Sequence, residues 1–182
     1  DGKRVTFIMG DRTMIVPLAG GEPRRLLDDD APVTLQWVSP TRLFAVNGGG
    51  FRFLWIDPEV GVVEDRVLPR SARCVFGQWI PDDETLLCSF NETAVLVDPR
   101  TGETKSIRTR AVDGSPGALV SGVSFRLVDG KYMLYVSLDG DMRAAPYDRK
   151  QQLIGRSVSL VSGINRDAIG SAQYDLTESG LL

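Results

Sequence analysis

The side chains that most often carry catalysis are sparse in this chain, which contains no histidine among its 182 residues. Ser-His-Asp triads and Cys-His pairs both need an imidazole as general base, and histidine is also the commonest metal ligand. The absence of histidine therefore excludes these sites from the chain itself. We expect a non-catalytic protein that binds no cofactor and no metal.

Two acidic clusters have the ligand type that hard cations prefer. Asp28-Asp29-Asp30 and Asp82-Asp83-Glu84 could hold such an ion through carboxylate oxygens. Neither has the spacing of a calcium-binding loop, and the second cluster follows Pro81 where a turn is expected. We interpret both clusters as turn or surface carboxylates rather than metal ligands.

Cys74 and Cys88 are the two cysteines of the chain. A four-residue turn would pair Ile80 with Thr85 in a hairpin, which places Cys88 opposite Gly77. Cys74 would then lie about three residues farther along its strand, and at roughly 3.3 Å per residue this offset exceeds the reach of a disulfide. The spacing predicts two buried free thiols and leaves the redox compartment open.

Two further motifs have structural interpretations. Asn165-Arg166-Asp167 superficially resembles a kinase catalytic loop, but no glycine-rich loop, paired lysine or Asp-Phe-Gly motif accompanies it. Gly48-Gly49-Gly50 lacks the following helix and the Lys-Ser/Thr pair of a phosphate-binding loop. We predict that it forms a hairpin loop.

The composition is that of an ordinary globular protein, with 42% apolar and 25% charged residues. The net charge of −3 and the scattered basic side chains give no basic field for nucleic acid. No apolar run approaches the length of about 20 residues that spans a bilayer. Nineteen glycines and ten prolines indicate many turns and few helices.

The clearest structural unit lies at residues 81–107. Apolar runs of strand length are separated there by the short polar break Asn91-Glu92, which is typical of a tight hairpin. Asp98-Pro99-Arg100-Thr101-Gly102 then supplies the residues of a second turn. Together with the segment just upstream, the pattern predicts an antiparallel meander with strands at 74–80, 85–90, 94–97 and 103–107.

This unit recurs along the chain. Trp37, Trp79, Arg126 and Tyr174 occupy equivalent positions, at spacings of 42, 47 and 48 residues. The 98–102 turn recurs at 57–61 and, less closely, at 17–21 and 146–148. Two landmarks in register predict repeats of the length of a four-stranded propeller blade. The predicted repeats are 1–31, 32–72, 73–117, 118–163 and an incomplete 164–182.

The equivalent positions also bear on candidate ligand sites. A large aromatic at the same place in three repeats favours packing between repeats over a ligand cage. Arg126 breaks this series of aromatic residues. We expect its charge either to be exposed by the geometry of the repeat or to pair with an acidic residue.

The repeats resemble the WD40-like propeller repeats of TolB-type proteins. In that family, a Ser-Pro-Asp-Gly turn follows one strand and an Asp-x-x-x-Gly turn comes two strands later. Residues 132–136, 142–147, 155–162 and 172–182 are similar to the closing repeats of propellers attached to bacterial Ser/Thr kinases. The resemblance implies an all-β protein, a β-propeller of four-stranded antiparallel blades, in an extracytoplasmic or periplasmic role. Known relatives usually close with six or seven blades, so about four repeats imply part of a larger propeller.

Variable loops on a rigid scaffold are where we expect a protein partner to bind. In a four-stranded meander, the second-to-third-strand hairpins and the links between repeats emerge at the same end. The longest of these links are predicted at 111–118 and 164–169. The candidate interaction residues are Asp29, Arg70, Arg73, Ser115, Asn165 and Arg166.

Two functions are compatible with these features. The first is a non-catalytic scaffold for protein interaction or sensing, such as an extrinsic subunit of a larger membrane-associated assembly. The alternative is a propeller that gates substrate access to a hydrolase or peptidase whose catalytic domain lies outside this chain. The remainder of the gene would distinguish them, because a kinase with a transmembrane helix supports sensing and a hydrolase domain supports gating.

Overall fold

The computed structural model describes residues 3–27 and 32–166, and regular structure in this part of the chain is almost entirely β-strand. The same residues contain three single-turn 3-10 segments, at Gly48–Gly50, Arg70–Ala72 and Pro81–Asp83. The predicted all-β class is therefore confirmed. Within the described residues, no helix has the length and apolar character to cross a membrane.

In the described part of the chain, eighteen strands form four sheets. The strands are β1 (Arg4–Met9), β2 (Arg12–Pro17), β3 (Arg24–Leu27), β4 (Thr34–Ser39), β5 (Arg42–Asn47), β6 (Arg52–Asp57), β7 (Gly61–Val67), β8 (Val75–Ile80), β9 (Thr85–Phe90), β10 (Thr93–Val97), β11 (Thr104–Ser106), β12 (Arg108–Arg110), β13 (Pro116–Leu119), β14 (Val123–Val128), β15 (Tyr132–Val136), β16 (Met142–Asp148), β17 (Leu153–Ile154) and β18 (Val158–Val161). The first sheet has the order β1-β2-β3, the second β4-β5-β6-β7 and the third β11-β10-β9-β8. The fourth has the order β13-β12-β17-β16-β15-β14, with β18 also paired to β16.

The second sheet is apolar on both faces, which explains why β5 lacks the alternation of a half-exposed strand. On one face, Leu43, Ala45, Leu54 and Ile56 form a buried core with apolar residues of the first sheet. Phe44, Val46 and Phe53 alternate with them on the other face and are equally buried. The central strands of this sheet therefore lie between two packed layers.

The chain divides into two compact units. The first comprises residues 1–86 and 97–104, and the second comprises residues 87–96 and 105–182. The first unit contains the first two sheets. The second contains β12 to β18, in which β12 pairs with β17 in parallel and β14, β15 and β16 form an antiparallel meander.

The first three sheets lie within the predicted repeats 1–31, 32–72 and 73–117. The prediction of a loop at 111–118 is wrong in part, because β12 and β13 form a hairpin there. Within residues 155–162, β18 covers Val158–Val161 and pairs with β16. The incomplete repeat 164–182, apart from its first three residues, lies outside the described residues.

The prediction of two free thiols is wrong, because Cys74 and Cys88 are both disulfide-bonded. Both are fully buried, as expected. Phe76, within β8, has a positive φ of 53°, which marks an irregularity in the strand between Cys74 and the hairpin turn. A residue in the left-handed region cannot continue a regular extended strand, so a uniform spacing of about 3.3 Å per residue does not hold through Phe76. The regular ladder assumed from sequence therefore overestimated the separation of the two cysteines.

A surface ion pair on the second sheet should make a small, pH-dependent contribution to stability. Arg52 donates three hydrogen bonds of 2.6 to 3.1 Å to Asp65, and these lower the pKa of the Asp65 carboxyl. A carboxyl whose pKa is lowered by folding stabilises the protein above its unfolded-state pKa, and this contribution disappears as the pH falls through the folded-state pKa. The side chains are 44% and 38% exposed, so we expect less than about 1 kcal/mol.

Asp65→Asn should therefore reduce the free energy of unfolding slightly at neutral pH and not at all in strong acid. Urea unfolding of both proteins at about pH 7 and about pH 2 measures the difference. Asp11→Asn, at a far more exposed ion pair, controls for a general effect of removing one negative charge. A difference that is the same at both pH values would contradict the assignment.

Candidate functional site

In the first unit, the connecting loops predicted to share one end of the second sheet are held together. The Leu68 N–H donates to the Phe51 carbonyl at 2.7 Å, and the Cys74 N–H donates to the Gly50 carbonyl at 2.8 Å. Arg73 adds a hydrogen bond from Nε to the Gly49 carbonyl at 2.7 Å. Its guanidinium carbon also lies 5.8 Å from the centroid of the Phe51 ring. The 48–51 hairpin and the 69–73 link thus form one ordered loop surface.

The same arrangement recurs twice in the second unit. The Gly122 N–H donates to the Glu92 carbonyl at 2.8 Å, joining the β9–β10 hairpin to the link that leads into β14. The Ile164 N–H donates to the Gly140 carbonyl at 2.9 Å, joining the β15–β16 hairpin to the chain after β18. Arg166 reinforces the second junction through Nη2, which donates to the Leu138 carbonyl at 2.8 Å.

The predicted interaction residues have different local roles. Arg70 is exposed in its 3-10 turn, next to the more constrained Arg73. Asn165 is exposed beside Arg166, whose Nη1 lies 4.0 Å from the carboxylate of Glu92. Asp29 lies outside the described residues.

Ser115 has a structural role in the turn between β12 and β13. Its hydroxyl donates to Asp113 Oδ1 at 2.6 Å, and its carbonyl accepts from the Ala111 N–H at 2.9 Å. The side-chain and backbone hydrogen bonds from Ser115 lower the pKa of the Asp113 carboxyl. Among the described residues, no hydrogen bond or ion pair links Ser115 to Asn165 or Arg166.

Arg126 is half-buried in β14, and its Nη1 donates to the Phe125 carbonyl at 3.4 Å. Within residues 3–27 and 32–166, no carboxylate forms an ion pair with it. The structure therefore gives no support to the alternative in which Arg126 pairs with an acid. In that same part of the chain, no group of three or more acidic, cysteine or histidine residues could hold a metal ion.

Sequence reasoning did not find a cavity of about 520 Å³ in the first unit. Phe53, Trp55 and Trp79 supply its aromatic wall, which we call the aromatic corner. Arg42, Arg66 and Arg100 carry the positive charges of its charged rim, and Glu64 and Glu84 carry the negative ones. The remaining lining residues are Val38, Ser39, Pro81 and Pro99.

The strand registers explain how this cavity forms. Gln36, Phe44, Trp55 and Glu64 lie opposite one another in a row across β4 to β7. The Trp79 N–H donates to Gln36 Oε1 at 3.0 Å, which holds β8 against this face. Trp79 thus packs against the second sheet, in line with its predicted packing role, and it also lines the cavity. The i, i+2 spacing of Phe53 and Trp55, and of Glu64 and Arg66, indicates that each pair shares one face of its strand. It does not indicate that Trp79 packs against that face.

No protein-family model matches the chain, and no curated protein matches it. Solved structures do match, and one of them is a protein of unknown function from Bacteroides caccae, with a TM-score of 0.60 at 13% sequence identity. The match covers 91% of this chain and 61% of that protein. At this identity the likeness shows a shared fold and leaves the resemblance to TolB-type propellers a prediction.

Proposed function

We propose that this chain is part of a β-propeller that serves as a non-catalytic scaffold for protein interaction, with its four-stranded sheets as blades. The observation that supports this proposal is the repeated junction between a second-to-third-strand hairpin and the link that follows it. The junction occurs at 50 and 74, at 92 and 122, and at 140 and 164. At each one, backbone hydrogen bonds hold irregular loops on a framework of strands.

Ordered loops suit recognition because a partner then binds a surface whose conformational entropy has already been lost in folding. Exposed Arg70 and Asn165 belong to the same segments as Arg73 and Arg166, whose side chains donate hydrogen bonds to the opposing loop. Arginine is also enriched among the residues that dominate protein interfaces. The loop surfaces therefore combine defined geometry with side chains suited to a protein partner.

The proposal includes an extracytoplasmic location, with the partner belonging to a larger membrane-associated assembly. The disulfide-bonded state of Cys74 and Cys88 supports this location. Structural disulfides persist in oxidising compartments and are rare in the reducing cytosol.

Charge reversal at an exposed loop arginine tests the proposed surface. Arg70→Glu should lower capture of a bound partner about tenfold, equivalent to about 1.4 kcal/mol. Cross-linking in the native cells followed by quantitative mass spectrometry identifies proteins retained by the wild type, and titration of the purified partner measures the loss. A separate variant that replaces residues 111–115 by a Gly-Ser turn tests the second unit.

The matched control is the double variant Asp129→Asn with Lys131→Gln, which alters the exposed turn between β14 and β15. This turn lies at the opposite end of β15 from the loop that contains Gly140. It should retain the partner at the wild-type level. Equal capture by the wild type, both loop variants and the control would contradict the proposed function.

A further inference from the structure

The aromatic corner offers an apolar recess of defined shape. The Trp55 and Trp79 rings meet at an interplanar angle of 89° with centroids 4.8 Å apart, and Phe44 packs against both. Backbone pairing fixes Trp55 on β6, and the bond from Trp79 N–H to Gln36 fixes β8. Phe53 and the two perpendicular indoles give one side of the cavity an apolar surface, and the cavity volume of about 520 Å³ is in the range of small-ligand sites.

The side of the cavity rim that holds Arg42 and Arg66 carries more positive than negative charge, although the whole chain has a net charge of −3. Glu64 is bound by Arg66 and lies 3.9 Å from Arg42, so one carboxylate faces two guanidinium groups. Arg100, by contrast, lies 3.4 Å from Glu84 and 3.7 Å from Asp98. A further carboxylate at Arg42 and Arg66 would balance the charge there, and guanidinium groups bind carboxylates in bidentate geometry.

Two other ligand classes fit the cavity less well. A cationic ligand would need an open indole face, but the guanidinium carbon of Arg42 already lies 4.3 Å from the centroid of the Trp55 ring. A sugar would stack on a flat exposed ring, whereas Trp79 is stacked with Phe44 at 6.0 Å and meets Trp55 edge-on. Neither class uses both the corner and the excess positive charge of the rim.

We propose that this cavity binds an organic carboxylate attached to a compact apolar body. The apolar body enters the aromatic corner, and the carboxylate accepts hydrogen bonds from Arg42 and Arg66 at the rim. The ligand is either a small free organic acid or the C-terminal residue of a peptide, since both present the same chemistry. The cavity is separate from the loop surface at 48–51 and 69–73, so this proposal does not rest on the proposed function.

The three tryptophans of the chain provide a built-in test by NMR of the indole N–H signals. Trp55 and Trp79 line the cavity, whereas Trp37 packs on the opposite face of the second sheet with Leu43 and Ile56. Titration with 3-phenylpropionate should shift the signals of Trp55 and Trp79 and leave that of Trp37 unchanged. The expected dissociation constant is on the order of 1 mM for a ligand of this size.

The neutral 3-phenylpropionamide is the matched probe, and it should bind about tenfold more weakly because it cannot form charge-assisted hydrogen bonds. The double variant Arg42→Gln with Arg66→Gln should bind the acid about tenfold more weakly and the amide as well as the wild type does. Arg12→Gln, at a remote exposed arginine, should change neither affinity.

A second titration uses a peptide that ends in phenylalanine and has a free C-terminus, and it distinguishes the two sources of the ligand. Binding at least tenfold tighter than that of 3-phenylpropionate identifies a peptide terminus as the ligand, and equal or weaker binding identifies a free acid. Equal affinity of the wild-type protein for the acid and the amide would overturn the proposal. This comparison uses no variant, so it does not depend on whether a variant folds. Shifts of all three indole signals together would overturn it as well.

Discussion

Removing the disulfide should lower the free energy of unfolding by about 3 kcal/mol, which is a large part of the stability of a typical domain. The bond between Cys74 and Cys88 closes a loop of 15 residues. A cross-link of this span reduces the conformational entropy of the unfolded chain by about that amount. Urea unfolding of the wild type with and without reductant measures the effect directly.

The variant Cys74→Ala with Cys88→Ala separates the cross-link from other effects of the reductant. Its stability should match that of the reduced wild type to within the small cost of two buried substitutions, and reductant should not change it further. Alanine is chosen over serine because both sites are fully buried, where a hydroxyl without a partner would be costly. Superimposable unfolding curves for oxidised and reduced wild type would contradict the prediction.

Gly50→Ala should also destabilise the protein by about 3 kcal/mol or more. A Cβ at this position would lie 2.4 Å from the carbonyl oxygen of Cys74 and 3.1 Å from Cγ of Arg73. The φ of +97° adds a conformational cost for any L residue. The Gly50 carbonyl accepts a hydrogen bond from the Cys74 N–H. Relief of the clash would therefore move apart the two loop segments that this hydrogen bond joins.

Gly49→Ala is the matched control. Gly49 also has a positive φ, of 68°, but a Cβ there would have no heavy atom within 4 Å. This variant should therefore lose only the conformational term of about 1 to 2 kcal/mol. The difference between the two variants in thermal or urea unfolding isolates the steric contact with the backbone. Equal losses at both positions would show that the close approach of Gly50 to Cys74 does not matter for stability.

The turns were the best-predicted local features, because they depend on residues that are adjacent in sequence. The Asp57 carboxylate accepts from the Glu59 and Val60 N–H groups, and Asp98 accepts from Arg100 and Thr101 in the same way. A short acceptor side chain can satisfy backbone donors two and three residues ahead without help from the rest of the fold. The turns at these positions followed from the sequence for that reason.

The disulfide and the hairpin at β12 and β13 could not be predicted in the same way. The first requires a departure from regular strand geometry, which β8 shows at Phe76 with its positive φ, and the second brings β12 beside β17, more than 40 residues later. Sequence patterns indicate which residues favour strands, but they carry little information on register across such separations. The candidate interaction residues Arg70, Arg73, Asn165 and Arg166 lie in connecting segments, and their role in binding stays a prediction, whereas Ser115 closes a turn.

The sequence by itself determined the all-β class, the four strands of the 74–107 meander and the turns at 57–61 and 98–102, because alternation and turn chemistry are local. Only the tertiary structure decided that Trp55, from β6, meets Trp79, from β8, at a cavity whose rim combines arginines from three separate segments. The physical reason is that this site forms where one face of the second sheet meets β8 and its following turns. Its shape and charge depend on sheet packing, which residue spacing along the chain does not encode.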